Sequence, residues 1–180
     1  YKIQHNLSVE GLLSLGDWKW NSADTVRFLD DNNNPILDDF NNEVLATFDA
    51  VGVHVGDAAQ TQYGLSIRYE PTFNSYIKLR GTLFDNYYSD FDPLSLNGDN
   101  AQRESWKIPT YTLFDLHCGY KIKLTSKNKL NLRFSILNLL DKMYISDAQN
   151  NDPYNANYQD FDAKSAGVFF GLGRRFNLSA

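Results

Sequence analysis

A polar–apolar alternation of period two recurs in six segments of this chain, and no other feature constrains the fold as tightly. Successive side chains of an extended strand point to opposite faces, so sustained alternation builds a sheet with one oily and one wet face. Over residues 3–15, Ile3, Leu7, Val9, Leu13 and Leu15 alternate with Gln4, Asn6, Ser8 and Glu10. Over 63–69, Tyr63, Leu65, Ile67 and Tyr69 oppose Gly64, Ser66 and Arg68, and Pro71 is expected to stop the strand. Over 75–88, Ile77, Leu79 and Leu83 face away from Lys78, Arg80 and Thr82, and over 112–122 Phe114, Leu116, Cys118, Tyr120 and Ile122 face away from Asp115, His117 and Lys121. Residues 130–136 place Leu130, Leu132, Phe134 and Ile136 against Asn131, Arg133 and Ser135. The last strand, 166–178, places Val168, Phe170, Leu172, Phe176 and Leu178 against Gly167, Gly171, Gly173, Arg175 and Asn177. The expected fold class is all-β.

The connections alternate in length. Short polar turns at 72–74 and 125–128 close hairpins, and long segments at 21–59, 89–110 and 141–164 separate them. The first long segment is expected to rise as a ribbon of two extended stretches, 25–29 and 44–55. Alternating strands with one wet face also describe a soluble sandwich or a lipocalin. Three features favour an antiparallel transmembrane barrel: strands long enough to cross the hydrocarbon at a tilt, mid-strand Lys78, Arg80 and Arg133 on the polar face, and Tyr or Phe near strand ends as in an aromatic girdle.

Composition removes other classes. No run approaches the roughly 18 apolar residues of a membrane helix, and mean hydropathy is −0.46. The net charge of −5 disfavours nucleic acid, whose phosphates call for clustered Lys and Arg. Cys118 stands alone, so neither a disulfide framework nor a CxxC zinc site is expected.

Five strings resemble the C-terminal barrel of TonB-dependent outer-membrane receptors, and together they cover nearly the whole chain. They are VGVHVGDAAQTQYGLSIRYEP (51–71), FDNYYSDFDP (84–93), SWKIPTYTLFDLHCGYKI (105–122), LNLRFSILNLLDKMYI (130–145) and the terminal GVFFGLGRRFNLSA. The most specific is Asn138-Leu139-Leu140-Asp141 followed by Tyr144, similar to the family's Asn-Leu-Leu-Asp-x-x-Tyr motif. The resemblance implies about six C-terminal strands of a barrel of about twenty-two, placed in the bacterial outer membrane. It implies a receptor, not an enzyme, importing a scarce solute such as a ferric siderophore, with no cofactor of its own. The implied partners are outer-membrane lipid, the remainder of the barrel with its plug, and the TonB–ExbB–ExbD energising complex. Plug and TonB box are N-terminal to the barrel in that family, so these strands are expected to belong to a longer polypeptide. Six strands alone leave open edges that hydrocarbon does not tolerate. A passive small barrel or adhesin, and a soluble ligand-binding β-module, remain the competing readings.

Candidate ligand-binding residues are the loop aromatics Trp18, Trp20, Tyr88, Trp106, Tyr144, Tyr154 and Tyr158, because long loops on a rigid scaffold are the usual binding surface. The same residues would serve an aromatic girdle. Lys78, Arg80, Asp115 and Arg133 are expected to face the lumen or plug. His5, His54 and His117 show no metal spacing, and His117 with Asp115 is the nearest approach to a hydrolase constellation. The acidic run from Asp30 to Asp39 offers oxygen ligands but lacks the Gly and terminal Glu of an EF-hand loop.

Overall fold

The computed structural model describes residues 1–150, 163–164 and 166–180. The described residues are all-β, with two short 3-10 turns and no helix long and apolar enough to cross a membrane. In chain order the strands are β1 (Lys2–Gln4), β2 (Leu7–Leu15), β3 (Ala23–Arg27), β4 (Leu45–Asp49), β5 (Thr61–Thr72), β6 (Ser75–Asp85) and β7 (Tyr87–Tyr88). They continue with β8 (Asp90–Phe91), β9 (Lys107–Ile108), β10 (Tyr111–Lys123), β11 (Lys129–Leu137), β12 (Ile145–Asn150), β13 (Gly167–Phe170) and β14 (Arg175–Ser179).

Seven of these form one antiparallel wall in the order β1-β2-β5-β6-β10-β11-β14. Its strands follow one another up and down, so short turns line one end and the long connections line the other. The wall is open, with β1 and β14 as its edges. β5, β6 and β10 are 12, 11 and 13 residues long, at or above the roughly 9–11 that a tilted strand needs to cross hydrocarbon.

Register turns the sequence alternation into two chemically distinct faces. Val9, Ile67, Leu79, Leu116, Ile136 and Phe176 are successive cross-strand partners and form one apolar row across the sheet. The neighbouring position on every strand gives Ser8, Arg68, Lys78, His117, Ser135 and Asn177, a polar row on the opposite face. A slip of one residue would exchange the faces, so the two-sided pattern fixes the pairing. The apolar face is uncovered: Leu13 is 64% exposed, Leu65 56%, Phe176 62% and Leu178 76%.

The buried hydrophobic clusters lie instead at the long-connection end. One joins Ala50, Val53, Phe91 and Leu96, with Phe48 against it. The other joins Ala59, Tyr87, Ile108 and Ala148, flanked by Phe84, Trp106, Tyr111, Ile145 and Val168. Three small sheets, β3-β4, β7-β9 and β13-β12-β8, frame these clusters, and the only parallel pairing among the described residues is the short β8–β12 contact. The long connections thus fold into a packed cap.

A ribbon forms as β3 and β4, paired from Ala23↔Asp49 to Arg27↔Leu45, but its first strand starts two residues before the expected 25–29 and its second stops at Asp49, short of the expected 44–55. The ribbon tip repeats an eight-residue unit, Leu29-Asp30-Asp31-Asn32-Asn33-Asn34-Pro35-Ile36 and Leu37-Asp38-Asp39-Phe40-Asn41-Asn42-Glu43-Val44. In each copy the first aspartate accepts from two amides, Asn32 and Asn34 for Asp30, Phe40 and Asn42 for Asp38. Asn33 and Asn41 take left-handed φ of 62° and 65°, a conformation Asn adopts readily. Phe28 N–H donates to Val44, Val44 to Ile36 and Ile36 to Phe28, closing a ring of backbone bonds beneath both copies.

Four further boundaries, in the wall strands, differ from the sequence expectation. Residues 3–15 are two strands, β1 and β2, because the chain reverses at His5 and Asn6. A two-residue turn is too short to interrupt the alternation, and the Tyr1 ammonium and carbonyl both bond to Val9. Pro71 does not stop β5, which runs to Thr72: pairing with β6 shifts between Tyr69 and Thr72, so the missing N–H falls in an irregularity. The strand expected over 75–88 ends at Asp85, where Asn86 turns through a φ of 48° and sends β7 to pair with β9.

The expected final strand over 166–178 is split. β13 joins the cap and only β14 joins the wall, so Phe170 lies in the outer sheet. The turn after β11 occupies the edge between them. There Gly171 donates to the Tyr144 carbonyl, and Arg174 N–H donates to Asp141 Oδ1.

Candidate functional site

Trp18 and Trp20 lie on the segment after β2 that pairs with the backbone around Val53 and Val55. Both keep substantial surface, 49% and 38%. Trp18 covers Gly16, and Trp20 meets Phe91 edge-on with centroids 6.4 Å apart. Gln60, almost fully buried, locks this base: its Oε1 accepts from Trp18 N–H, and its amide donates to the carbonyls of Trp18 and Val55.

Tyr88 stacks flat on His54, with centroids 4.1 Å apart. His54 sits between two carboxylates, Nδ1 at 2.6 Å from Glu104 and Nε2 at 3.1 Å from Asp17. Lys19 beside Asp17 holds that carboxyl below the usual range, and His54 adds to the effect. Burial pushes the Tyr88 phenol up, as does the Glu104 charge. The node ties the ribbon base to the 100–105 connection. The two carboxylates address different ring nitrogens, so they do not converge on a single ion, and no metal-ligating cluster occurs among the described residues. The sequence does not reveal this node because the partners of His54 lie 37 and 50 residues away.

Trp106 is half-buried against the second cap cluster. Tyr144 stacks on Tyr111 at 4.6 Å, which stacks on Phe84 at 4.9 Å, and the Tyr144 ring occupies the space that a side chain at 171 would fill. Tyr88, Trp106 and Tyr144 therefore spend much of their surface on packing, and Trp18 and Trp20 are the exposed aromatic platforms. Tyr154 and Tyr158 lie outside the described residues. The acidic run occupies the ribbon tip, where the amide bonds of Asn34 and Asn42 hold Asp30 and Asp38 below the usual carboxylate range.

Lys78, Arg80, Asp115 and Arg133 share the polar face of the wall. Lys78 bonds Glu10 at 2.6 Å, and Glu10 also accepts from Ser66. Arg80 stands opposite Asp115 in register, yet Asp115 Oδ1 is taken by the N–H of Asn138 at 3.0 Å. His117 Nδ1 lies 2.9 Å from Ser135 Oγ, but no bond joins His117 to Asp115, so the histidine lacks the orienting acid of a hydrolytic triad.

Asn138 is a junction that the sequence marked as a motif without revealing its task. It is 3% exposed with φ of 51°. Its amide donates to the carbonyls of Lys142 and Leu172, and its Oδ1 accepts from Lys142 N–H. With Asp141 bonding Arg174, the motif clips β10, the turn after β11 and the lead into β14 together.

Neither the family models nor the curated proteins contain a match to this chain. The geometry provides a two-faced wall, a packed cap with an exposed pair of tryptophans, and a cationic polar face.

Proposed function

We propose that this chain forms wall and outer loops of an outer-membrane β-barrel, as the C-terminal strands of a TonB-dependent receptor that imports a scarce solute such as a ferric siderophore. The observation that carries the membrane reading is the uncovered apolar face of the wall. Leaving a Leu, Ile or Phe in water forgoes about 1.5–3 kcal/mol each. The exposed residues Leu13, Leu65, Ile67, Leu79, Phe134, Phe176 and Leu178 together forgo as much as the whole 5–15 kcal/mol or so by which a domain is ordinarily stable. Hydrocarbon removes that deficit, and the open edges at β1 and β14 suit pairing with further strands. Chain direction fits as well: short turns at one end and long connections at the other match periplasmic and extracellular ends.

The transport half of the proposal rests on the resemblance of the 138–144 motif and the terminal strand to the receptor family. Cell fractionation of the natural full-length protein tests the membrane half, with recovery in the outer-membrane fraction and a requirement for detergent expected. A monodisperse, detergent-free protein would overturn it. Uptake of labelled ferric chelate by cells, lost when the proton-motive force is collapsed, tests the transport half; uptake indifferent to that force points to a passive barrel.

An adhesin is the second reading, favoured by the ribbon, whose tip carries Phe40 at 84% exposure. Cell attachment lost on removing the tip, with chelate uptake intact, would support it.

A further inference from the structure

We infer that the polar face of the wall carries a binding cleft for a small polyanion, a molecule bearing two or more carboxylate or phosphate groups. The cleft has a volume of about 300 Å³ and crosses four adjacent strands at the short-turn end, a size at the lower end of small-molecule sites. Arg68 comes from β5, Tyr76 from β6, Gly119 and Lys121 from β10, and Asn131 and Arg133 from β11.

Register explains its shape. Tyr76, Gly119 and Arg133 are successive cross-strand partners. Gly119 contributes no side chain, and the Tyr76 ring leans into the vacated space, where any Cβ would overlap it. The Arg68 guanidinium lies over that ring, 3.8 Å from its centroid. Glu70 engages Arg68 Nε at 2.8 Å, leaving its terminal nitrogens for another acceptor. Arg68 is thus held in place before any ligand arrives, which lowers the entropic cost of binding.

The charges are what call for an anion. Lys121 pairs in register with Asn131, and Arg133 with Gly119, so the two cations are diagonal neighbours about 7–8 Å apart at their backbones. Like charges in that relation repel. Other cations of the described residues are paired with carboxylates, Lys19 with Asp17, Arg27 with Glu43, Lys78 with Glu10 and Lys107 with Asp85, and those without a partner, such as Arg80, do not line this cleft. Among the described residues Lys121 and Arg133 have no carboxylate within ion-pair distance. A bridging oxyanion relieves the repulsion, with the Arg133 fork suited to a planar carboxylate or a phosphate. Asn131 supplies an amide donor between them.

The cleft is a property of four paired strands and does not depend on the transport reading. The test is calorimetric titration of the natural full-length protein, in zwitterionic detergent at low ionic strength, with citrate and separately with pyrophosphate. The expected result is saturable one-to-one binding of at least one anion, weakened at least tenfold by the double change K121A/R133A. R133K keeps the charge without the fork and is expected to weaken binding several-fold. K127A, in the exposed turn after β10, is expected to leave it unchanged. Circular dichroism establishes that each variant is folded. Absence of saturable binding by both anions, or equal binding by wild type and K121A/R133A, would overturn the inference whether or not the protein resides in a membrane.

Discussion

Asn138 shows how much one side chain holds where β10, the turn after β11 and the lead into β14 meet. Its positive φ is tolerable to Asn and strained for Ala, and its buried amide satisfies two carbonyls and one N–H. Replacing Asn138 by Ala leaves those groups unpaired, and a buried unsatisfied group costs about 1–3 kcal/mol. We expect N138A to lower the thermal unfolding midpoint clearly, followed by circular dichroism in detergent, with N138D intermediate because it keeps the acceptor and the tolerated φ. An unchanged midpoint in N138A would mean that the clip contributes nothing. The sequence displayed the motif, but Asp115 and Leu172 lie 23 and 34 residues away, so no local pattern revealed what it binds. Asp57 is a residue at which charge works against the fold. Partial burial, and then the charges of Asp90 and Asp147, push its carboxyl above the usual range. An acid with a raised folded pKa takes up its proton more readily folded than unfolded, so the folded state is disfavoured above that pKa and relieved below it. D57N, compatible with the φ of 66°, is therefore expected to melt higher than wild type at neutral pH. The advantage should shrink as acid protonates the wild-type carboxyl, and melting curves across pH decide it.

At the scale of elements, strand existence was legible and strand endings were not. Alternation marked β2, β5, β6, β10 and β11 because each has one row of Leu, Ile, Tyr or Phe and one of polar groups. The break between β13 and β14 was hidden, since Gly171-Leu172-Gly173 continues the apolar–Gly rhythm while the edge it would use is occupied by Tyr144 and Asp141. The cap was hidden for a related reason: its strands are short, and three of them, β7, β8 and β9, have only two residues. Clusters such as Ala50, Val53, Phe91 and Leu96 assemble from two distant segments, which periodicity does not detect. The ribbon tip is a self-contained unit by contrast. Its aspartates bond to amides within their own eight-residue copies, and the ring through Phe28, Ile36 and Val44 closes on itself. Replacing residues 28–44 by a two-residue Asn-Gly turn joins Arg27 to Leu45 in the existing register and suits the hairpin twist. The shortened protein is expected to keep the wild-type unfolding midpoint within experimental error, because both cap clusters lie beyond the cut. A collapse of the midpoint would show that the tip supports the cap.

For the molecule as a whole, the decisive property is that the wall carries its apolar residues on one face and its charges on the other, with the apolar face uncovered. The proposed barrel would turn that apolar face to lipid and a soluble domain would leave it in water, so the two faces should answer mutation in opposite ways in the two cases. Leu79 is the probe: it sits mid-strand in β6 between Ile67 and Leu116, on the apolar face, and is 42% exposed. Facing lipid near the bilayer centre, Leu79→Arg costs about 2–4 kcal/mol, enough to cut the folded yield sharply when the full-length protein is refolded into liposomes. Facing water, the same change replaces an exposed apolar side chain by a charged one and costs within about 0.5 kcal/mol, as surface substitutions usually do. Arg80→Leu on the adjacent position is the control. In a membrane wall it loses one polar contact with an aqueous interior and leaves insertion nearly intact; in a soluble sheet it adds one more exposed leucine. Refolding yields of L79R and R80L, measured by protease protection in liposomes, should therefore differ strongly, with L79R the impaired variant. Equal yields would remove the apolar face as an argument for a lipid partner, because a face in hydrocarbon does not accept a guanidinium as readily as a leucine.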